Sequence, residues 1–553
     1  MDTRRPESVA QLVLERAGDR RTGLLFEDEQ WTWAQVVEEA LVRASFLTSQ
    51  REDGRPFHVG VLLDNRPEYL FLLAGAALSG AVIVGINPTR RGAELARDIR
   101  HTDCRLIITD ADQHGDLDGL DIGVGTDRVL VCDSPSYGSR VDEHGGATVP
   151  GSLPSTDDLF LLIFTSGSTG APKAVRMTQG RAAGIAARVP FGPEEVLYSA
   201  MPLFHGNALN AAIFPAFAGG ATLVLRRRFS ASAFLPDIRR YRCTFFNTVG
   251  RAIAHINATP PTEHDKDHTL KWVLGPETSD SDKAAFTARF GVPIFEGYGS
   301  SENAIILNPA RDARPGSLGT APRGSDIAVI DPITGDECEV AQFDDGGQLL
   351  NAERAIGELV GRNVSSRFEG YYNNPDAESE RVHDGWYWSG DLAYRDEADV
   401  FYFAGRSGDW LRVDSENFAA APVERILARA PGVTGVAVYP VPDARTGDQV
   451  MAALELADGV AFDPTSFADF VSAQPDLGPK WMPRYVRIVG ALPVTGTDKV
   501  DKKPLRAQRW RTSDPVWHRP TRTDSYRRLT TAEADSLEAE FADHGRANLL
   551  ELR

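Results

Sequence analysis

The residues best suited to do chemistry lie in one short run. Thr165-Ser166-Gly167-Ser168-Thr169-Gly170-Ala171-Pro172-Lys173 follows the apolar stretch Leu159–Phe164 and combines four hydroxyls, two glycines and a lysine. Glycines let a turn bring backbone N–H groups together, and hydroxyls add further donors. Such a loop can surround a polyphosphate, with Lys173 adding a cation. Two residues separate Gly170 from Lys173, unlike the Gly-Lys pair of a Walker A loop. A flexible Ser/Gly linker needs neither a buried strand in front nor a Pro-Lys ending, so phosphate binding is the better reading.

A second group centres on Phe295-Glu296-Gly297-Tyr298-Gly299-Ser300-Ser301-Glu302. Gly297 and Gly299 permit close backbone approach to a flat base, and Tyr298 offers an aromatic face. Glu302 is a hard oxygen donor suited to Mg2+. Upstream, Gly275-Pro276-Glu277 follows the apolar Trp272–Leu274. Trp388-Ser389-Gly390-Asp391 carries a carboxylate able to accept bonds from two vicinal hydroxyls, and Phe403-Ala404-Gly405-Arg406 follows it. Lys499, Lys502 and Lys503 close the set, in a pattern that by itself marks a solvated face. Each segment alone could be a plain turn.

Together these segments resemble the ANL superfamily of adenylate-forming enzymes, which takes in acyl-CoA synthetases, peptide-synthetase adenylation domains and luciferases. The resemblance runs from about residue 60 to 505. Asn87-Pro88-Thr89-Arg90-Arg91-Gly92 and Asp98-Ile99-Arg100-His101-Thr102-Asp103 are similar to the long-chain and very-long-chain fatty acid–CoA ligases, as are Asp267-His268 and Arg289-Phe290-Gly291. The resemblance implies an ATP/AMP site of Thr165 to Gly170, Lys173, Gly275, Pro276, Glu277, Glu296, Gly297, Tyr298, Gly299, Ser300 and Ser301. It places Asp391, Phe403 and Arg406 at the ribose, Glu302 on Mg2+, and Thr165, Glu302 and Lys499 in catalysis. Lys499 is favoured over Lys502 and Lys503 by its position after Leu492-Pro493 and a Gly/Thr turn. His205, Gly206, Asn207, Val249, Gly250 and Gly297 would line the acyl pocket. Gly408 and Asp409 would form the hinge of a mobile C-terminal domain, and Ser415, Glu416 and Asn417 the coenzyme A tunnel. Departures from the family pattern are Ala174, Gln179, Ser301, Gly408 and Ser415; Ser415 adds a side chain where the tunnel is narrow.

The implied chemistry is ATP-dependent joining of a carboxylic acid to coenzyme A through acyl-AMP. An acid with a pKa of about 4–5 is already ionised at neutral pH, so its attack on the α-phosphorus needs no general base. The protein's task is positioning and charge neutralisation. Pro202-Leu203-Phe204-His205 has no aspartate to pair an α-ammonium, which disfavours amino acids. Gly206, Ala208 and Gly250 are small and suit a fatty acid or a bulky natural-product acid such as a terpenoid acid. The competing readings are an acyl-AMP ligase that loads a carrier-protein phosphopantetheine, a luciferase-type oxidase, and a catalytically silent acyl- or nucleotide-binding protein.

These residues require an α/β scaffold. Val59–Leu63, a helical pattern from Pro67 to Ser79, Ala81–Ile86, a helix through 90–101 and Leu106–Thr109 alternate as in a mainly parallel, buried sheet. Beyond residue 405 the texture becomes a small α+β unit, with short strands at Trp410–Val413, Val433–Tyr439, Gln449–Leu456 and Tyr485–Val489. Helical stretches lie near 421–430 and 465–473. The expected division is a large N-terminal domain, 1–407, and a small mobile C-terminal domain, 408–553, ending in a polar helix over 526–553. The chain has 553 residues and a net charge of −19, which disfavours general affinity for nucleic acid or anionic membrane. Cys104, Cys132, Cys243 and Cys338 form no CxxC pair, pointing to a reducing cytoplasm. No apolar signal core and no run long enough to span a bilayer occurs. Glu263–His268 reads as a solvated loop rather than a metal site. Nothing in the sequence fixes the oligomeric state; a homodimer is compatible with it.

Overall fold

The structure is a computed structural model. It describes residues 7–550 apart from 53–55, 166–171, 190, 277, 279, 311–312, 315, 345–348, 364–366, 407–409, 414–415, 445–447, 475–476, 479, 496–498, 522–524 and 545. Two compact units emerge: Met1–Ile306 with Ser365–Val382, and Leu307–Val364 with His383–Arg553.

The first unit holds two sheets. One runs Val129–Val131, Cys104–Thr109, His58–Leu62, Val82–Gly85, Leu159–Phe164, Ala174–Thr178; all neighbours are parallel except the last pair. The other runs Ile294–Phe295, Trp272–Leu274, Phe245–Asn247, Val196–Ser199, Thr222–Leu225, Thr22–Phe26, Glu29–Thr32, again parallel until a final antiparallel pair. The parallel strands read as continuous apolar runs because both faces are covered. Helix Pro67–Ser79 shows why. Pro67 sits in its first turn, Gly80 ends it at φ 73°, and every residue from Tyr69 to Leu78 is buried. A Cβ on Gly75 would lie 2.7 Å from the Cβ of Arg43, so a glycine is needed for helix Trp33–Ser49 to pack this close.

The second unit contains an antiparallel sheet in the order Ser317–Thr320, Val400–Arg406, Trp386–Arg395, Gly357–Gly361, Ile327–Ile330. A five-stranded sheet follows: Val433–Pro442, Asp448–Leu456, Tyr485–Val489, Val516–His518, Arg527–Arg528. Trp410–Val413 and Glu416–Ala419 form a hairpin. The packing thus groups the 317–406 sheet with the C-terminal residues, where the division expected at 407/408 follows the motifs. One reason is local: Arg425 Nη1, on helix Ala420–Leu427, donates to the Phe403 carbonyl at 3.4 Å. The expected terminal helix is shorter than 526–553. It spans Thr531–Asp543, begins with a Thr530/Glu533 capping box, and buries Ala534 and Phe541 against Tyr485 and Trp510. Among the described residues no helix is long and apolar enough to cross a membrane.

Candidate active site

The expected phosphate loop lies between two paired strands. Strands Leu159–Phe164 and Ala174–Thr178 pair with Phe164 opposite Ala174, and the Thr165 N–H donates to the Lys173 carbonyl at 3.0 Å to close the neck. Thr165 and Lys173 are therefore neighbours; Ser166, Gly167, Ser168, Thr169 and Gly170 lie outside the described residues. Lys173 is 9% exposed, with Nζ 3.1 Å from Glu380 Oε2 and 5.7 Å from the centre of the Tyr371 ring. The segment 370–374 docks on the outer hairpin strand: Arg176 N–H donates to Gly370 O at 3.1 Å and Tyr372 N–H to Ala174 O at 2.8 Å. It also meets the 98–103 segment, where the Tyr372 hydroxyl donates to Asp103 Oδ2 at 2.9 Å and Asn373 Nδ2 to the same atom at 3.1 Å. Gln179, where the family often has histidine, is buried; its amide accepts from Ala10 N–H at 3.2 Å and donates to Ala77 O at 3.0 Å.

Glu302 sits in a tight turn, where the Asn303 N–H donates to Ser300 O at 3.0 Å and Gly299 bridges to Ile306. Its Oε1 accepts the Tyr371 hydroxyl at 2.8 Å. Burial, and then the negative charge of Glu302, push the Tyr371 phenol well above its usual pKa, so it stays a protonated donor. Tyr371 thus connects the candidate metal carboxylate to Lys173. Glu296 is engaged by its own neighbourhood: Oε1 accepts from Thr278 N–H at 2.8 Å and Oε2 pairs with Lys283 Nζ at 2.7 Å. Gly297, Tyr298, Ser300 and Ser301 are half-buried and Gly299 is exposed. Gly275 has little room for a side chain, a Cβ there lying 3.0 Å from Thr278 Oγ1. Glu277 lies outside the described residues.

The acyl-pocket residues gather in the same unit. His205 caps a short helix, its Nδ1 accepting the Asn207 N–H at 3.3 Å. A Cβ on Gly206 would sit 3.7 Å from Ser301 Oγ, so the expected acid pocket adjoins the Glu302 turn. The Gly250 N–H donates to Pro276 O at 2.9 Å, joining the expected acid wall at Val249–Gly250 to the expected adenine segment. The approach to His205 is fixed from two sides. A Cβ on Gly85 would lie 2.8 Å from the Phe204 carbonyl oxygen, and buried Asn65 donates to Met201 O at 2.9 Å while accepting Leu203 N–H at 2.9 Å. Helix Gly206–Ala208 continues into a π-helical turn, Leu209–Ile213, a feature frequent at functional sites.

In the second unit, Asp391 and Arg406 face each other across paired strands, and the Asp391 N–H donates to Ser389 Oγ at 3.0 Å. The Gly390 N–H donates to buried Glu358 Oε1 at 2.6 Å. Phe403 pairs with Ala393 on the same two strands. Lys499 closes another hairpin, with Val494 bridged to Val500, Thr495 N–H donating to Lys499 O at 2.7 Å and Lys499 N–H to Thr495 Oγ1 at 3.3 Å. Lys502 Nζ lies 2.7 Å from Glu424 Oε1. Gly408, Asp409 and Ser415 lie outside the described residues; Glu416 and Asn417 are described only as backbone in the hairpin opposite Val413 and Arg412.

The family profile of AMP-binding enzymes matches residues 12–372, and that of the AMP-binding enzyme C-terminal domain matches 422–499. The chain belongs to the AMP-binding enzyme family. It is 51% identical to a steroid-22-oyl-CoA synthetase of Rhodococcus jostii (strain RHA1), over 98% of this chain and 99% of that one. It is 42% identical to a medium/long-chain-fatty-acid–CoA ligase of Mycobacterium tuberculosis, over 92% and 98%. The ATP-bound structure of MatB from Rhodopseudomonas palustris shares the fold, with a TM-score of 0.78 at 22% identity over 90% of this chain and 97% of that one.

Within this AMP-binding fold the residues present suit Mg2+. That ion is usually held by one or two carboxylates together with substrate phosphates, and half-buried Glu302, oriented by Tyr371 near Lys173, offers one such carboxylate. Sequence reasoning assigned no role to Tyr371, Asn65 or Asn303. Nothing in the sequence of the 370–374 segment says which of its residues turns inward. Contrary to the expectation from its sequence, the Glu263–His268 loop is not solvated throughout. Asp265 is buried at 3% exposure, bonded to Thr262 and Arg289, and those bonds bring its pKa down to about 2 despite the opposing effect of burial.

Proposed function

We propose that this ATP-dependent acyl-CoA synthetase activates a bulky, largely apolar carboxylic acid, with a steroid carboxylate favoured over a straight-chain fatty acid. One observation carries the nucleotide half of this reading: Tyr371 bridges Glu302 to Lys173 at the neck of the hydroxyl-rich hairpin. For the acid, the steroid-22-oyl-CoA synthetase is the more similar of the two relatives described, at 51% against 42% identity. The small residues Gly206, Ala208 and Gly250 are compatible with a broad substrate.

The hairpin, with Thr165 and Lys173, takes the ATP phosphates, and Glu302 holds Mg2+. When bound, the ion neutralises phosphate charge. Asp391 and Arg406 take the ribose hydroxyls, and Tyr298 lies against adenine. The acid enters beside His205 and Gly206, and its carboxylate oxygen attacks the α-phosphorus as pyrophosphate leaves. Lys499 offsets the charge that spreads over the acid and α-phosphate oxygens, an effect of about 10²–10³ in rate for comparable electrostatic groups. The thiol of coenzyme A then displaces AMP from the acyl carbon. By the family pattern, Gly408–Asp409 would serve as the hinge and Ser415–Asn417 would line the coenzyme A tunnel. The four cysteines are free, which fits a reducing cytoplasm where ATP and coenzyme A are available.

The test is thioester formation with ATP, Mg2+ and coenzyme A, followed by product mass across a steroid-22-oate, palmitate and a short-chain acid. The expected result is the steroid thioester as the product with the highest kcat/KM. Faster turnover of palmitate would overturn the acid assignment. Adenylation without transfer to coenzyme A, but with transfer to a carrier-protein phosphopantetheine, would overturn the acceptor.

A further inference from the structure

Asn303 follows the candidate magnesium carboxylate directly and is unusual in several respects. It is 6% exposed and holds a left-handed backbone, φ 53°, a conformation non-glycine residues adopt uncommonly and asparagine more readily than most. Its backbone and side chain are bonded to three different elements. The amide Nδ2 donates to Ser301 O at 2.9 Å, bracing the turn that carries Glu302. The amide Oδ1 accepts from Asn210 Nδ2 at 3.3 Å, and Asn210 lies in the π-helical turn of the acid-pocket helix that begins at His205. The backbone carbonyl accepts from the guanidinium of Arg181, on helix Gln179–Ala186, which continues directly from the outer strand of the phosphate hairpin. Gly206 completes the junction: a Cβ there would fall 3.5 Å from Asn210 Nδ2 and 3.7 Å from Ser301 Oγ. Acid-pocket helix, metal turn and hairpin helix therefore meet at one buried residue, the first two through its side chain and the third through its backbone carbonyl.

We propose that Asn303 is a positioning residue that ties the Glu302 turn to the acid-pocket helix, so that binding of the acid and binding of the magnesium nucleotide favour one another. The left-handed backbone fixes the direction in which Glu302 leaves the turn. The Asn210–Asn303 bond makes that direction depend on the helix beside the acid. An acid that orders the helix orders the carboxylate, and the coupling is reciprocal. Tyr371 holds Glu302 from the opposite side, so losing the Asn303 link removes the dependence on the acid while one anchor of the carboxylate remains.

This inference rests on the reading of Glu302 as the Mg2+ ligand, and the experiment separates the two. Binding of α,β-methylene-ATP, which cannot release pyrophosphate, is measured calorimetrically with Mg2+ or with EDTA, with and without a saturating steroid-22-oate, or palmitate if that is the faster substrate. In the wild type the acid should tighten binding of the magnesium complex about 5-fold or more, the lower end of ordinary coupling. Asn303→Gly accepts the positive φ but lacks the amide. It should lose that tightening while binding the analogue in EDTA like the wild type. Asn210→Ala leaves Asn303 intact and should show the same loss, and the double variant should lose no more than either single one. Thermal melts identify any variant that does not fold, and Asn210→Ala carries the test if Asn303→Gly is one of them. Tightening retained in either folded variant, or absent from the wild type, overturns the proposal. A Glu302→Gln variant whose nucleotide binding keeps its full response to Mg2+ would instead overturn the metal assignment.

Discussion

Replacing Tyr371 by phenylalanine isolates one atom of the candidate site. The hydroxyl donates to Glu302 Oε1 at 2.8 Å from a ring that is 2% exposed. A hydrogen bond to a charged acceptor contributes about 1.5–3 kcal/mol, and because Glu302 is only half-buried the lower figure applies. That is roughly tenfold in an equilibrium constant, within the about 10–100-fold seen when a residue that orients a metal ligand is removed. The ring itself should stay in place. Its edge contact with Phe368, at 5.0 Å between centroids, and its position under Lys173 do not involve the oxygen. The expected outcome in Tyr371→Phe is a roughly tenfold rise in the Mg2+ concentration giving half-maximal acid-dependent ATP–pyrophosphate exchange, with a loss of stability of about 1.5 kcal/mol. Because the phenol is held protonated above its ordinary pKa of about 10, the wild-type Mg2+ requirement should show no step attributable to Tyr371 up to that pH. A half-maximal Mg2+ concentration unchanged in a folded Tyr371→Phe would refute the reasoning.

Other outcomes follow from single contacts. Lys499→Ala should lower acid-dependent exchange by about 10²–10³ or more with an unchanged melting temperature. By contrast Lys502→Ala, which removes the 2.7 Å pair with Glu424, should cost roughly 1 kcal/mol of stability in denaturant titration and leave exchange near wild type. Glu380→Gln frees Lys173 from a partner that is 65% exposed, so KM for ATP should fall by no more than about 2-fold, whereas Lys173→Met should raise it. His58 is buried, its Nδ1 2.7 Å from Thr102 O, and burial holds its pKa below the usual 6.5; His268 and His518 shift the same way. The unfolded chain therefore takes up protons before the folded one as pH falls through about 6.5. Stability should be full above that pH and decline below it in melts at pH 7.5 and 5.5, with a shallower decline in His58→Asn.

How far the sequence reaches can be seen residue by residue. The strand Leu159–Phe164 leading into Thr165 was legible because six apolar residues run straight into a hydroxyl-rich segment, whereas the outer strand Ala174–Thr178 that pairs with it was not read from the sequence. The facing of Asp391 and Arg406 was legible only through the resemblance, since cross-strand register joins residues fifteen positions apart. Tyr371 and Glu302 are 69 residues apart, and which of Tyr371 and Tyr372 turns inward depends on how 370–374 docks on the hairpin strand. Asn65 acts through backbone groups of a distant segment and Asn303 through the side chain of Asn210, 93 residues away, and no local pattern marks an asparagine for either. Asp265 looked solvated in a run of charged residues; its burial comes from Arg289, which also donates to the carbonyls of Ile256, Asn257 and Thr259. The terminal helix was overextended because composition alone does not show where a capping threonine starts it.

The central claim is that the acid's own carboxylate oxygen displaces pyrophosphate from the α-phosphorus of ATP. Supplying the acid with both carboxylate oxygens labelled as 18O, together with ATP, Mg2+ and coenzyme A, reads this directly by mass spectrometry of the products. The account predicts AMP carrying one labelled oxygen and pyrophosphate carrying none. Unlabelled AMP, or label recovered in phosphate released with ADP, would contradict it.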